Sequence, residues 1–80
     1  MSSAKHQTTP RTGNIYLKLQ YPEWSLERWN TTTGQYEIQP VDCKKTGEKT
    51  GEQMALTHGV TLYWLPATGD PSVLFEPPRS

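Results

Sequence analysis

The stretch "NIYLKLQY", residues 14–21, alternates apolar and polar side chains more regularly than any other part of the chain. The apolar side of this pattern consists of Ile15, Leu17, Leu19 and Tyr21. A period of two residues is typical of a β-strand that buries one face and exposes the other. We therefore predict a strand here, with its apolar side in the core.

The next stretch, "PEWSLERWN" at residues 22–30, admits two interpretations. Pro22 followed by Glu23 is typical of a helix start. As a strand, Trp24 and Leu26 share one face, and "NTTTG" followed by "QYEIQ" at residues 30–39 supplies the loop and the return arm of a hairpin. We predict the strand.

The register of this hairpin decides where Trp29 points. Pairing Trp29 with Gln35 sets Leu26 opposite Ile38, with Tyr36 on the same inner face, whereas a slip of one residue sets Leu26 opposite Gln39 and buries polar groups. We predict the first register. Trp29 then points to the polar face, as part of a binding surface or of a second small cluster, unless a bulge in the strand returns it to the core, which is the alternative that we favour.

A second hairpin is predicted near the carboxy terminus, where "VTLYWL" and "SVLF" enclose the turn residues Pro66, Gly69, Asp70 and Pro71. Its loop contains "LPATG", residues 65–69, which matches the L-P-x-T-G sorting signal of wall-anchored proteins. The sequence after Gly69 has no apolar run near the about 20 residues that span a membrane. We therefore interpret the motif as a hairpin loop.

Both faces of this second hairpin are apolar. Pairing Trp64 with Val73 and Leu62 with Phe75 gives one core face, completed by Val60. The opposite face carries Tyr63, Leu65 and Leu74. A hairpin that is apolar on both sides must be covered on both sides, by its own chain or by another molecule. We predict that Tyr63, Leu65 and Leu74, together with Trp29, bind a partner.

Two segments lack an apolar pattern. Residues 42–53, "DCKKTGEKTGEQ", contain a tandem K-T-G-E and predict a mobile loop or a long hairpin tip, with Met54, Ala55 and Leu56 after it as a short strand or single helical turn. Residues 1–13 predict a flexible, mildly basic arm whose first 12 or so residues are dispensable for folding.

The domain is therefore placed at residues 14–78. Its predicted fold is all-β, a small barrel or two-layer sandwich of about five antiparallel strands with a disordered N-terminal arm.

Composition limits the classes of function and the compartment. Eight basic residues balance eight acidic ones, which gives no general attraction to nucleic acid or to an anionic membrane. The one cysteine, Cys43, excludes an internal disulfide, and residues 1–13 have no signal-peptide h-region. We expect a cytoplasmic protein, or a component of a virion assembled in the cytoplasm, with no membrane partner.

The residue types that carry chemistry are sparse. Cys43 and His58 are the best-placed nucleophile and base, and Glu27 with Glu37 is the best carboxylate pair, but neither pattern is specific. A structural zinc site needs four Cys or His ligands, more than the chain offers. We therefore expect no enzyme activity, no cofactor and no metal.

Two functions remain as hypotheses. The first is a non-enzymatic protein-interaction or assembly module, such as an accessory subunit or small phage or virion component, that associates with itself or another protein through the apolar face of the carboxy-terminal hairpin. The alternative is a small barrel that stacks Trp29, Tyr16 or Tyr63 on single-stranded nucleic acid or a glycan, with Lys44, Lys45 and Lys49 reaching phosphates. The balanced charge favours the first.

Overall fold

The structure, a computed structural model, describes residues 7–20 and 22–78. Its elements are β1 (Ile15–Gln20), β2 (Glu23–Asn30), β3 (Gln35–Val41), α1 (Lys44–His58), β4 (Leu62–Leu65) and β5 (Ser72–Phe75). The strands form a five-stranded sheet in the order β3-β2-β1-β4-β5. All neighbouring pairs are antiparallel except β1 and β4, which are parallel.

This architecture corrects part of the predicted fold class. The expected number of strands is confirmed, and residues 23–30 form a strand as predicted. The fold is nevertheless not all-β and not a closed barrel, because α1 joins β3 to β4 across one face of an open sheet. The helix carries the chain back to the end of the sheet where β3 begins, so β4 runs in the same direction as β3 and β1.

Helix α1 occupies the segment that was predicted as a mobile loop. Gly47, Gly51 and Ala55 recur every four residues and are its buried residues. A Cβ atom at Gly51 would lie only 2.7 Å from Leu62 Cδ1. The tandem K-T-G-E therefore supplies a stripe of small residues, which lets the helix backbone approach the sheet closely. Glycine costs about 1 kcal/mol per helical position relative to alanine, and this close packing offsets that cost.

The core lies between α1 and the sheet, as the alternation in β1 predicts. Ile15 and Leu17 are fully buried there together with Leu26, Ala55 and Leu62. Half-buried side chains pack around this group: Trp24, Val41, Met54, Val60, Trp64, Leu74 and Phe75. We call the side of the sheet that faces away from α1 the second face.

The predicted register of the first hairpin is wrong by one residue. Trp29 pairs with Tyr36, and Leu26 pairs with Gln39, which is the arrangement that the sequence disfavoured. The expected penalty is avoided because β3 is the edge strand, and the side chain of Gln39 is exposed to solvent. Since side chains alternate along a strand, the slip moves Ile38 from the core side to the second face.

The loop of this hairpin confirms the turn interpretation of "NTTTG". The Asn30 Oδ1 atom accepts hydrogen bonds from the backbone N–H groups of Thr32 and Thr33, at 2.9 and 3.1 Å. Gly34 has φ +73°, a conformation that other residues rarely adopt. Asn30 is therefore engaged in local turn chemistry.

The carboxy-terminal hairpin forms, with a partly different register from the one predicted. Leu62 pairs with Phe75 as expected, but a bulge then sets Tyr63 opposite Val73 and Trp64 opposite Ser72. Val73 consequently leaves the core face and is 53% exposed. Leu74 instead packs against the core. One inserted residue in a strand is sufficient to exchange two side chains in this way.

Residues 7–13 lie across the second face, which differs from the expectation of a flexible arm. Thr9 is only 2% exposed. Gln7 Nε2 donates to the backbone oxygens of Pro66 and Gly69, at 2.9 and 2.6 Å. The segment therefore holds the "LPATG" loop and covers the sheet from the chain itself. Residues 1–6 of the predicted arm lie outside the described residues.

Candidate interaction surface

The three partner-binding residues predicted in the carboxy-terminal hairpin do not form one free surface. Leu65 is on the second face but is 3% exposed. Tyr63 is half-buried there and stacks on Tyr16, with ring centroids 5.1 Å apart and planes 12° from parallel. Leu74 packs on the opposite side, against the core. The second apolar face of the hairpin is therefore covered largely from within the chain.

A buried polar cluster lies at the centre of the second face. Lys18 Nζ donates to Glu27 Oε1 at 3.2 Å and to Thr9 Oγ1 at 3.1 Å. The Thr9 hydroxyl donates in turn to the same carboxylate oxygen at 2.6 Å. Each group is paired within the cluster, so the arrangement anchors residues 7–13 on the sheet. A buried charge pair needs this kind of additional hydrogen bonding to offset the loss of solvent.

Trp29 belongs to an aromatic cluster beside this anchor. Its ring meets Tyr36 edge-on, with centroids 4.8 Å apart, and the Arg11 guanidinium lies 4.5 Å from its centroid. Tyr36 Oη donates to the backbone oxygen of Thr9 at 2.6 Å. Trp29 points away from Trp24 and Leu26 and forms a second small cluster, whereas the favoured expectation, a bulge that returns it to the core, is wrong because its pairing with β3 is regular.

Strand β3 presents the most exposed large hydrophobic side chain among the described residues. Ile38 is 60% exposed at the middle of a seven-residue edge strand. It shares the second face with Tyr36, two residues before it, and with Pro40, two residues after it. Together with Trp29, these residues form what we call the β3 patch: Trp29, Tyr36, Ile38 and Pro40.

The other edge of the sheet is less accessible for pairing. Strand β5 has four residues, against seven in β3. Val73 is exposed at its middle, but Pro71 precedes the strand and Pro77 follows it closely. Short length and flanking prolines are common protections of a sheet edge.

The chemical pairs considered from the sequence do not assemble. Cys43 precedes α1 and His58 ends it, so about 20 Å of helix separates them. Glu27 points to the second face, whereas Glu37 pairs with Arg28 and points to the side of α1. Among the described residues, no group of three or more His, Cys, Asp or Glu could hold a metal ion.

Two exposed groups have a shifted pKa with a local cause. A hydrogen bond with Thr46 at 3.5 Å lowers the pKa of the Cys43 thiol, and backbone N–H groups of Thr46 and Lys45 act in the same direction. The Asn30 side chain, at 2.8 Å, lowers the pKa of Glu37, with Arg28 contributing next. Both groups lie at the ends of elements: Cys43 directly precedes α1, and Glu37 lies near the turn of the first hairpin.

The features required for the nucleic-acid alternative lie on opposite sides of the molecule. Lys44, Lys45 and Lys49 are exposed on α1, which covers one face of the sheet. Trp29 and Tyr63 are half-buried on the other face, where Tyr16 is 3% exposed. The aromatic rings and these lysines therefore lie on different faces of the sheet.

The chain matches no protein-family model, no curated protein and no solved structure. No helix in the described part of the chain has the length and apolar character needed to cross a membrane. An open cleft of about 690 Å³ lies beside the end of α1, with Glu76 the one carboxylate among its lining residues.

Sequence reasoning missed Ile38 and Tyr36 as surface residues because it assigned them to the core. The alternation in "QYEIQ" does place the two side chains on one face. Which face that is depends on the register with β2, which the slip of one residue reversed.

Proposed function

We propose that this chain is a non-enzymatic protein-interaction module that binds an extended segment of another protein along β3. The observation that carries the proposal is Ile38, 60% exposed at the centre of the longer edge strand. Strand addition at a sheet edge is a recurring mode of peptide recognition, in which main-chain hydrogen bonds give affinity and alternate side chains give specificity.

The position of Pro40 indicates which main-chain groups of β3 point outward. Proline has no N–H, so it is confined to edge positions where a donor is not needed by the neighbouring strand. This places the Ser25–Pro40 pair among the pairs that do not exchange hydrogen bonds. Because such pairs alternate along an antiparallel ladder, Ile38 and Tyr36 direct their main-chain groups away from β2 as well. A partner strand can therefore accept hydrogen bonds from the N–H groups of Tyr36 and Ile38. It can donate hydrogen bonds to the carbonyl groups of Tyr36, Ile38 and Pro40.

The β3 patch provides side-chain specificity beside these groups. Tyr36 and Ile38 are two residues apart on the second face, and Trp29 lies directly across from Tyr36. An added strand would place every second side chain against this apolar row. Tryptophan and tyrosine are among the residues that contribute most to binding free energy in interfaces.

This proposal retains the predicted class of function and moves its surface. Trp29 stays in the candidate surface, and the main contribution shifts from Tyr63, Leu65 and Leu74 to β3, because the carboxy-terminal hairpin is covered by residues 7–13 and by the core. Such a module would act as an accessory subunit of a larger assembly or as a small component of a virion.

A random-peptide display selection against the wild-type chain tests the proposal. We expect enrichment of extended peptides with alternating apolar residues. Ile38→Lys should weaken their binding by at least tenfold, and Val73→Lys, a change at a similarly exposed residue of the other edge, should not. On binding, the amide protons of Tyr36 and Ile38 should become protected from hydrogen exchange. Peptides that bind both variants alike would overturn the proposal.

A further inference from the structure

We infer that the first partner of β3 is a second copy of this chain, paired antiparallel about a two-fold axis at Ile38. The inference rests on the proposed function in that both use the β3 edge. It would join two five-stranded sheets into one continuous ten-stranded sheet. A two-fold contact of this kind requires a surface that complements itself, and the central residues of β3 meet that requirement.

The self-pairing brings apolar side chains together on the second face. With the axis at Ile38, this residue lies opposite its own copy, and Tyr36 lies opposite Pro40 of the second copy. These three residues occupy one face of β3. The exposed Ile38 side chain would therefore be covered by an identical one, between two aromatic–proline pairs. Such cross-strand pairs are the main side-chain contribution to sheet stability.

The same register avoids like charges on the other face. Glu37 faces Gln39 of the second copy, an acceptor opposite an amide donor, and Gln35 faces Val41. Moving the axis to Glu37 would set two carboxylates directly opposite each other, which destabilises a strand pair. With the axis at Pro40, only the last few residues of the two β3 strands would lie opposite each other. The axis at Ile38 is the one that uses the full seven-residue strand.

Main-chain hydrogen bonding also suits this axis. The outward groups of Ile38 bond to those of its copy in both directions, and the N–H of Tyr36 donates to the carbonyl of Pro40 of the second copy. The axis thus gives four hydrogen bonds and omits only the two that proline cannot donate. The formal net charge of 0 means that no overall repulsion opposes association.

The expected dimer is weak, because one strand pair buries less than the about 800 Å² per partner of a standard interface. We therefore expect sedimentation to detect a monomer–dimer equilibrium at micromolar or higher concentrations. An extended peptide that occupies β3 should dissociate the dimer, since both require the same edge. Ile38→Lys should remain folded by circular dichroism, because the side chain is mostly in solvent in the monomer.

Disulfide crosslinking tests the register. In a Cys43→Ser background, Ile38→Cys should form a disulfide-linked dimer on mild oxidation, since paired residues across the axis have Cα atoms about 5.5 Å apart. Gln35→Cys should not, because six residues of strand separate its two copies by about 20 Å. Val73→Cys, at the opposite edge, controls for random collision.

The outcomes separate this inference from the proposed function. A wild-type chain that stays monomeric at about 1 mM, where even a dimer with a Kd of about 1 mM holds about half of the chains, yet binds selected peptides through Ile38, overturns the dimer and leaves the proposed function standing. A dimer that crosslinks only through Ile38→Cys, in a chain that selects no peptide, supports the dimer and overturns strand addition by other proteins. Equal crosslinking of all three cysteine variants overturns the dimer.

Discussion

At the scale of single residues, Gly47 and Gly51 explain why a helix forms where no apolar pattern indicates one. Added Cβ atoms there would lie 2.7 Å from the methyl groups of Leu17 and Leu62, both fully buried. Glycine is therefore required for its small size and not for an unusual backbone angle. The buried side of an amphipathic helix normally consists of large apolar residues. The buried side of α1 consists of the small residues Gly47, Gly51 and Ala55.

Gly51→Ala should accordingly lower the free energy of unfolding by about 1 kcal/mol, although alanine favours helix by a similar amount. Overpacking against Leu62 and Leu26 outweighs the gain in helix propensity, and Gly51→Val should cost more. Chemical denaturation measures both variants. Lys49→Ala, at an exposed position of the same helix, should stay within about 0.5 kcal/mol of wild type. A Gly51→Ala protein more stable than wild type would contradict the close approach.

Cys43 should react as a thiol with a lowered pKa. The rate of alkylation by iodoacetamide should rise with pH about a midpoint below that of an ordinary cysteine, because the Thr46 hydroxyl and nearby backbone N–H groups stabilise the thiolate. Thr46→Ala should move the midpoint upward. Thr57→Ala, near the other end of α1, is the control. An identical midpoint in Thr46→Ala would exclude the hydroxyl as the cause.

At the scale of elements, residues 7–13 behave as an additional layer on the sheet. The segment contributes no large apolar side chain. It is held by polar contacts: Gln7 to the "LPATG" loop, Thr9 to Lys18 and Glu27, and Arg11 to Trp29. Hydrophobic periodicity therefore gives no indication of where this segment lies. Thr9 anchors the segment to a buried ion pair, whose Lys18 is on β1 and whose Glu27 is on β2.

Thr9→Val should test this layer, because it keeps the shape of the side chain and removes the hydroxyl. Lys18 and Glu27 would then each lose a partner in a buried site, which costs about 1–3 kcal/mol and lowers the thermal midpoint by more than about 5 °C in a domain of this size. Thr8→Val, at an exposed neighbouring position, should change little. Equal midpoints would restore the expectation that this arm is dispensable.

At the scale of the whole molecule, the charge distribution separates the two functional hypotheses. Acidic and basic residues balance, and the lysines of α1 lie on the side of the sheet opposite the aromatic residues of the second face. Affinity for nucleic acid depends on cations that reach phosphates beside the stacked bases. In this chain the lysines of α1 and the aromatic rings of the second face lie on different faces of the sheet.

We therefore expect no binding to a panel of single-stranded oligonucleotides and polysaccharides at low salt, measured by fluorescence anisotropy. Glu48→Lys, which adds a cation to α1 beside Lys44, should not create binding, because α1 faces away from the aromatic rings. Binding by wild type that falls steeply with salt and disappears in Trp29→Ala would favour the nucleic-acid alternative over the protein-interaction module.

The sequence by itself determined the local features of this protein. The alternation around Ile15 and Leu17 predicted the central strand and its buried side. The loops at "NTTTG" and "LPATG" were correctly predicted as hairpin turns, because asparagine, glycine and proline carry their backbone preferences wherever they occur. These features depend on residues close together in the chain, and for that reason they could be inferred without a structure.

Only the tertiary structure decided which surfaces are free. The glycines of the helix at residues 44–58 pack against Leu17 and Leu62, which lie on strands outside the helix. The exposure of Ile38 and the burial of Leu65 depend on a register slip of one residue and on coverage by residues 7–13. Burial is a property of a residue's neighbours in space, so the candidate surface moved from the carboxy-terminal hairpin to β3 once those neighbours were known.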